Sequence, residues 1–153
     1  MKSLLIVILS ICIISCGKIS FYESYHPLNK ARWILQDTAK FEINIQDTTK
    51  LYQINAMIRH YNSYNYQNLW IYQKTIYPDS TYFETKRNLT LGDKMGQWYG
   101  VGLNDIVNVE VPMEQNVKFS KQGTYTFEFT HAMRDNKLED VIDFGIKIKQ
   151  LKK

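Results

Sequence analysis

The stretch that decides the fold is Gly123-Thr124-Tyr125-Thr126-Phe127-Glu128-Phe129, in which aromatic and polar side chains alternate. Because a β-strand turns successive side chains to opposite faces, this stretch puts three rings on one face and leaves its polar residues in water. The same two-residue alternation recurs at 41–46, 52–58, 107–111 and 143–148. The repeated pattern predicts a protein built from half-buried strands.

The rest of the chain agrees with this interpretation. The segment 69–77 is apolar on both faces, which predicts a central strand or one with a covered outer face. Helical periodicity is nearly absent, and the best candidates are a turn at 131–134 and the segment 28–35, which is equally compatible with an irregular lead-in carrying Trp33. Turn-prone clusters separate the strands at 47–49, 77–80, 91–93 and 121–123. We therefore predict an all-β fold, an antiparallel β-sandwich of roughly seven to nine strands. Jelly-roll-like and immunoglobulin-like strand orders both remain open.

The N-terminus has the features of a bacterial lipoprotein signal peptide. One basic residue, Lys2, precedes an apolar run at 4–14, and Ile13-Ile14-Ser15-Cys16 follows the pattern that precedes a lipidated cysteine. The run is too short to cross a hydrocarbon core, which needs about 20 residues. The sequence predicts a cleaved signal peptide (1–15), a lipid anchor at Cys16 with a short tether (16–20) and one β-sandwich domain (21–153). The alternative is ordinary secretory cleavage after Gly17, with Cys16 incidental.

The composition narrows the possible chemistry. Both cysteines, Cys12 and Cys16, lie in the signal region, so the exported body has no thiol for a disulfide, a zinc site or a nucleophile. A formal charge of +4 is too weak to indicate a nucleic-acid partner. Motifs for a metal site, a calcium loop or a nucleophile elbow are missing around the three histidines, and Gly100-Val101-Gly102 indicates a turn or bulge rather than a dinucleotide site. We expect no catalysis, no cofactor and no metal. A hydrolase with two carboxylates brought together in space is a weaker alternative.

Tyrosines are the other prominent feature, eleven in all. Asn and Gln residues are interspersed with Tyr61, Tyr64 and Tyr66 in 61–68, as in loops whose flat rings stack on sugars or on a partner's side chains. Packing at the rim of a sandwich is the competing interpretation and is favoured for these three residues. Core packing is likewise favoured for Trp70 and Trp98. The candidate interaction or glycan-binding residues are therefore Tyr61, Tyr64, Tyr66, Trp70 and Trp98.

The order of the motifs resembles a known family. The cysteine signal is followed by Trp33, by Asn68-Leu69-Trp70-Ile71, by 96–106 (GQWYGVGLNDI), by Gly123-Thr124-Tyr125-Thr126-Phe127, and by 132–134 and 143–148. Together they are similar to gliding-motility lipoproteins of the GldH type, found in Bacteroidota. The resemblance implies a non-catalytic, lipid-anchored envelope protein that works with other proteins of the motility or surface-protein secretion machinery. Gly17 and the lack of acidic residues at 18–21 favour the outer membrane, facing the periplasm. The alternative function is a glycan-binding lipoprotein of a polysaccharide-uptake system.

Overall fold

The computed structural model describes residues 20–151, which form eleven strands and no helix. All paired strands are antiparallel. The predicted signal peptide and Cys16 lie outside the described residues. The strands are β1 (Ser20–Pro27), β2 (Arg32–Ile34), β3 (Ala39–Ile45), β4 (Leu51–Tyr61), β5 (Asn68–Ile76), β6 (Tyr82–Thr90), β7 (Val101–Leu103), β8 (Ile106–Val117), β9 (Gly123–His131), β10 (Lys137–Glu139) and β11 (Val141–Leu151).

Two larger sheets make the sandwich. One has the order β1-β11-β4-β8-β7 and the other the order β3-β9-β5-β6, while β10 and β2 form a small third sheet. When the three short strands β2, β7 and β10 are set aside, the eight long strands, counted in chain order, lie as 1-8-3-6 and 2-7-4-5. This is the jelly-roll order, with two Greek keys folded together. The all-β sandwich prediction is confirmed, and the strand order settles the alternative left open above.

The core lies between the two large sheets. Along β3, burial alternates residue by residue, with Phe41, Ile43 and Ile45 inside. Rings from opposite sheets meet there: Phe129 on β9 lies 4.9 Å from Phe144 on β11, measured between ring centroids. Fully burying a side chain of this size stabilises the fold by about 1.5–3 kcal/mol. The alternating pattern therefore fixes which face of each strand points into the sandwich.

The number of strands differs from the sequence-based prediction, eleven instead of seven to nine. Three of the additional strands, β2, β7 and β10, have three residues each, which is too short for an alternating pattern to register. The strands β1 and β6 also went unpredicted. In β6 the pattern is interrupted, because its inner face carries Thr85 and Arg87 between Phe83 and Leu89.

Both helical candidates were wrong. In the segment 28–35, Lys30 and Ala31 have φ of 55° and 52° and turn the chain into β2, where Trp33 is fully buried. Residue 131 ends β9, and a bend follows it. Within residues 20–151 the chain has no helix with the length and hydropathy needed to cross a bilayer.

The strand β5 confirms the central-strand prediction for 69–77. It pairs with β9 on one side and with β6 on the other. Its inner face carries the buried Leu69 and Ile71, whereas Trp70 and Tyr72 point outward.

Candidate functional site

The two ends of the sandwich carry different features. We call one the tether end, because β1 starts there; it is formed by Ser20 and the connections 46–50, 77–81 and 118–122. The opposite, distal end is formed by the connections 28–31, 62–67, 91–100 and 132–136. The sequence-predicted tyrosines belong to the distal end.

Three of the predicted residues meet at the distal end. The rings of Tyr64 and Tyr66 lie 5.7 Å apart, and those of Tyr64 and Trp98 lie 6.4 Å apart. His60, which sequence analysis did not select, completes this aromatic cluster, with its ring 5.4 Å from Tyr64 and 4.5 Å from Trp98. The spacings and the tilted or edge-on geometries are those preferred by aromatic pairs, so the cluster is a packed unit.

The hydroxyl groups of the cluster are engaged within the protein. Tyr64 is buried, its hydroxyl donates to the carbonyl oxygen of Asn68 at 3.2 Å, and burial raises the pKa of that hydroxyl. Tyr66 is exposed, and its hydroxyl donates to the carboxylate of Asp135. Tyr64 is therefore a packing residue, as the sequence analysis favoured, whereas Tyr66 remains partly accessible to solvent.

The other two predicted residues have different surroundings. Trp70 lies on the outer face of β5 and is 37% exposed, so the core interpretation was wrong for this residue. The Lys86 ammonium covers it from the neighbouring strand, 5.1 Å from the ring centroid, in a cation–π contact. Tyr61, at the end of β4, is exposed as well. A role of these five residues in binding remains a prediction.

The connection 91–105 makes hydrogen bonds and close backbone contacts along its length. Asp93 Oδ1 accepts hydrogen bonds from the backbone N–H groups of Met95 and Gln97, at 2.8 and 2.9 Å. Trp98 donates its indole N–H to Asn62 Oδ1 at 2.7 Å, which ties this connection to 62–67. Gly100 lies so close to β8 that a Cβ there would be 2.1 Å from the carbonyl oxygen of Asn108. The close approach explains the glycine, and the strand β7 begins directly after it.

This connection presents large apolar side chains to solvent. The exposed fractions are 95% for Met95, 64% for Tyr99, 80% for Val101 and 76% for Leu103. We call these four residues the apolar loop patch. Tyr and Met are enriched at protein interfaces. Sequence analysis missed the patch, because a short apolar run does not reveal whether it will be covered.

The histidines do not converge on one site. His60 and His131 are fully buried, and burial lowers the pKa of each, so both rings are neutral near pH 7. His60 Nδ1 lies 2.8 Å from the carbonyl oxygen of Tyr61, a distance that fits donation from this nitrogen. His26 pairs with Asp37 at 3.2 Å instead. Among residues 20–151, no group of three or more His, Cys, Asp and Glu side chains is placed to hold a metal ion.

A separate cleft opens between the two large sheets, where the edge strand β6 faces β8. Its volume is about 410 Å³, and it is lined by residues of both sheets and by the connection 118–120. Sequence analysis did not anticipate it, because its lining residues are scattered over five strands.

Comparisons with known proteins give the family. The profile of the GldH lipoprotein family matches residues 20–148. A gliding motility lipoprotein GldH homolog from Christiangramia forsetii is 28% identical over 143 residues, covering 89% of this chain and 87% of the relative. The gliding motility lipoprotein GldH of Flavobacterium johnsoniae is 24% identical over 153 residues, covering 95% and 94%.

Similarity to solved structures is weaker. TmCBM61, solved in complex with beta-1,4-galactotriose, aligns with a TM-score of 0.35 at 10% identity, covering 89% of this chain and 92% of that one. At this TM-score the alignment carries no functional argument.

Proposed function

The chain belongs to the GldH lipoprotein family, and on that premise we propose that it is a non-catalytic docking component of the gliding motility and surface-protein secretion apparatus. The observation that carries this proposal is the apolar loop patch. Four large apolar side chains, each more than 60% exposed, lie on a connection that is joined to itself and to 62–67 by hydrogen bonds of Asp93 and Trp98. Val101 and Leu103 are alternate residues of β7 and therefore lie on one face, and contiguous exposed apolar surface marks interaction sites.

The proposed lipid anchor determines where the apolar loop patch lies relative to the membrane. The proposed lipid attachment site, Cys16, precedes β1 by only residues 16–19, which span at most about 14 Å when extended. The tether end then lies close to the bilayer. Since β4 alone has 11 residues and each rises about 3.3 Å, the apolar loop patch stands roughly 35 Å further from the membrane. Outer-membrane attachment with the domain (21–153) in the periplasm is part of this proposal.

The proposed partner is another envelope protein with an apolar surface. The residues of the patch carry no formal charge, so affinity comes from burying Met95, Tyr99, Val101 and Leu103 rather than from electrostatic attraction. We expect this contact to be insensitive to moderate changes in salt concentration.

Site-specific photo-crosslinking in the native envelope tests the proposal. A photoreactive amino acid in place of Tyr99 should capture a discrete protein partner, and the double substitution Val101→Asp, Leu103→Asp should abolish the crosslink. The control position is Tyr82, which is equally exposed at 63% but lies at the tether end. An identical crosslinked product from both positions, or none from position 99, would contradict docking through the patch.

A further inference from the structure

The cleft between β6 and β8 has a mixed lining. Beside the apolar side chains of Ile54, Val117, Phe119 and Phe127, it has polar groups at positions where a β-sandwich normally has only apolar ones. Gln73 and Thr75 on β5 point inward and are buried, and Arg87 on β6 is their neighbour on the same face. The opposite sheet contributes Glu114 on β8. Burying such polar groups costs free energy unless each has a hydrogen-bond partner, so these side chains are expected to bond to one another.

One network joins these four side chains across the two sheets. Arg87 Nε donates to Gln73 Oε1 at 2.6 Å, and the Arg87 guanidinium also pairs with Glu114 Oε1. Gln73 Nε2 donates to Thr75 Oγ1 and to Glu114 Oε1, both at 3.2 Å. The network neutralises the charges of Arg87 and Glu114 and fixes the walls of the cleft. Its residues are therefore preorganised before any ligand arrives.

Several polar groups of the cleft are not used by this network. Among the described residues, no hydrogen-bond partner is found for the second carboxylate oxygen of Glu114, for the hydroxyls of Tyr77 and Ser120 or for the ammonium of Lys118. Together they offer both hydrogen-bond donors and acceptors.

An uncovered aromatic ring stands at the mouth of the cleft. Phe83 pairs with the buried Thr75, so it belongs to the inward-facing register of β6, yet it is 56% exposed. Leu89, six residues after Phe83 on the same face of β6, is only 2% exposed. The opposite sheet covers one end of the β6 inner face and leaves the ring of Phe83 without a covering partner.

These features select a class of ligand. An apolar ligand would strip water from Glu114 and the hydroxyls without replacing their hydrogen bonds. An anion would meet the carboxylate of Glu114, and a cation would meet Lys118 and the already paired Arg87. A neutral saccharide matches this mixed lining, because its hydroxyls both donate and accept hydrogen bonds while its C–H faces pack on aromatic and apolar side chains. The cleft volume, about 410 Å³, falls in the range of small-molecule sites.

We propose that the cleft between β6 and β8 is a binding site for a short neutral oligosaccharide, with Phe83 as the stacking platform and Glu114, Tyr77 and Ser120 as hydrogen-bonding groups. This site is distinct from the tyrosine-rich connection 62–67 and from the apolar loop patch, and it does not depend on the docking function proposed above.

The test uses the full-length lipoprotein in micelles of a detergent without a sugar headgroup. Maltotriose, cellotriose and mannotriose, with trigalacturonate as the charged comparison, are titrated by isothermal calorimetry and by saturation-transfer NMR. We expect saturable binding of at least one neutral trisaccharide and weaker binding of trigalacturonate. Phe83→Ala should weaken that binding about tenfold or more.

Two further variants make the result specific. Tyr77→Phe removes only a hydroxyl and should weaken binding without affecting folding. Tyr82→Ala, the neighbouring residue on the outer face of β6, should leave binding unchanged. The proposal is overturned if none of the neutral trisaccharides binds, if trigalacturonate binds as well as they do, or if Phe83→Ala and Tyr82→Ala have equal effects.

Discussion

At the scale of single residues, the environment of the two buried histidines shows how position sets chemistry. His60 packs between Tyr64 and Trp98, and His131 lies edge-on to Trp33, 5.9 Å away. Burial lowers the pKa of both rings because the surrounding side chains cannot solvate an imidazolium. In the folded state both histidines therefore act as uncharged rings that pack against aromatic neighbours.

The lowered pKa values predict that stability depends on pH. Since the unfolded chain binds protons near pH 6.5 and the folded state does not, the free energy of unfolding is highest above that pH. It falls as the pH drops below it, by up to about 1.4 kcal/mol per pH unit for each histidine. Urea unfolding at pH 7.5 and pH 5.5 measures the loss. The double variant His60→Phe, His131→Phe keeps two buried rings and should lose less stability between pH 7.5 and pH 5.5. A loss equal to that of the unsubstituted protein would show that other groups cause it.

At the scale of elements, the strand β7 shows how a short segment depends on one glycine. Its pairing covers only three residues of β8, so nearby contacts must hold it. Gly100 permits the approach to Asn108, and the isolated bridge between Gly92 and Trp98 closes the base of the loop. The presentation of the apolar loop patch therefore rests on backbone packing rather than on strand length.

Adding one methyl group at Gly100 should release this element. Gly100→Ala places a Cβ against the β8 backbone, and we expect it to cost about 1–3 kcal/mol of stability and to speed amide hydrogen exchange at 98–103. Gly102→Ala is the matched control, since the nearest atom to its Cβ is the Ile106 carbonyl oxygen at an ordinary 3.6 Å. Equal exchange rates in the two variants would show that β7 is held by other contacts.

At the scale of the whole molecule, the jelly roll separates the two proposed contacts. The start of β1, four residues after the predicted anchor Cys16, lies at the tether end, and the apolar loop patch lies at the distal end. A domain attached at one end and exposing an apolar surface at the other can bridge a membrane and a protein above it. The length of the long strands sets the distance between the two.

The anchor at Cys16 is tested by removing its thiol. Cys16→Ala should move the protein from the membrane fraction to the soluble envelope fraction, because two or more acyl chains are required for stable attachment. Cys12→Ala is the control, since Cys12 lies within the apolar run of the signal and should leave attachment intact. Mass spectrometry of the N-terminal peptide checks the acyl chains directly. A Cys16→Ala protein that still sediments with membranes would contradict the proposed anchor.

The sequence by itself determined the strands whose inner faces are consistently apolar. Alternation at 41–45, 107–111 and 123–129 matches β3, β8 and β9, because local side-chain period is enough when every inward position is hydrophobic. The ordered motifs were also enough to indicate the family. The same reasoning failed for β6, whose inner face holds Thr85 and Arg87, and for Trp70, since a strand apolar on both faces does not reveal which one is covered.

Only the tertiary structure decided the strand order and the sites. Tyr64, Tyr66 and Trp98 meet because the connections 62–67 and 91–100 fold over the same end of the sandwich. The hydrogen-bond network beside the cleft joins Gln73 to Arg87 and Arg87 to Glu114, pairs that are 14 and 27 positions apart along the chain. Such contacts depend on how strands from distant parts of the sequence pair and how the two sheets stack. Local periodicity contains no information about either, and it is this packing that leaves Phe83 and the apolar loop patch uncovered.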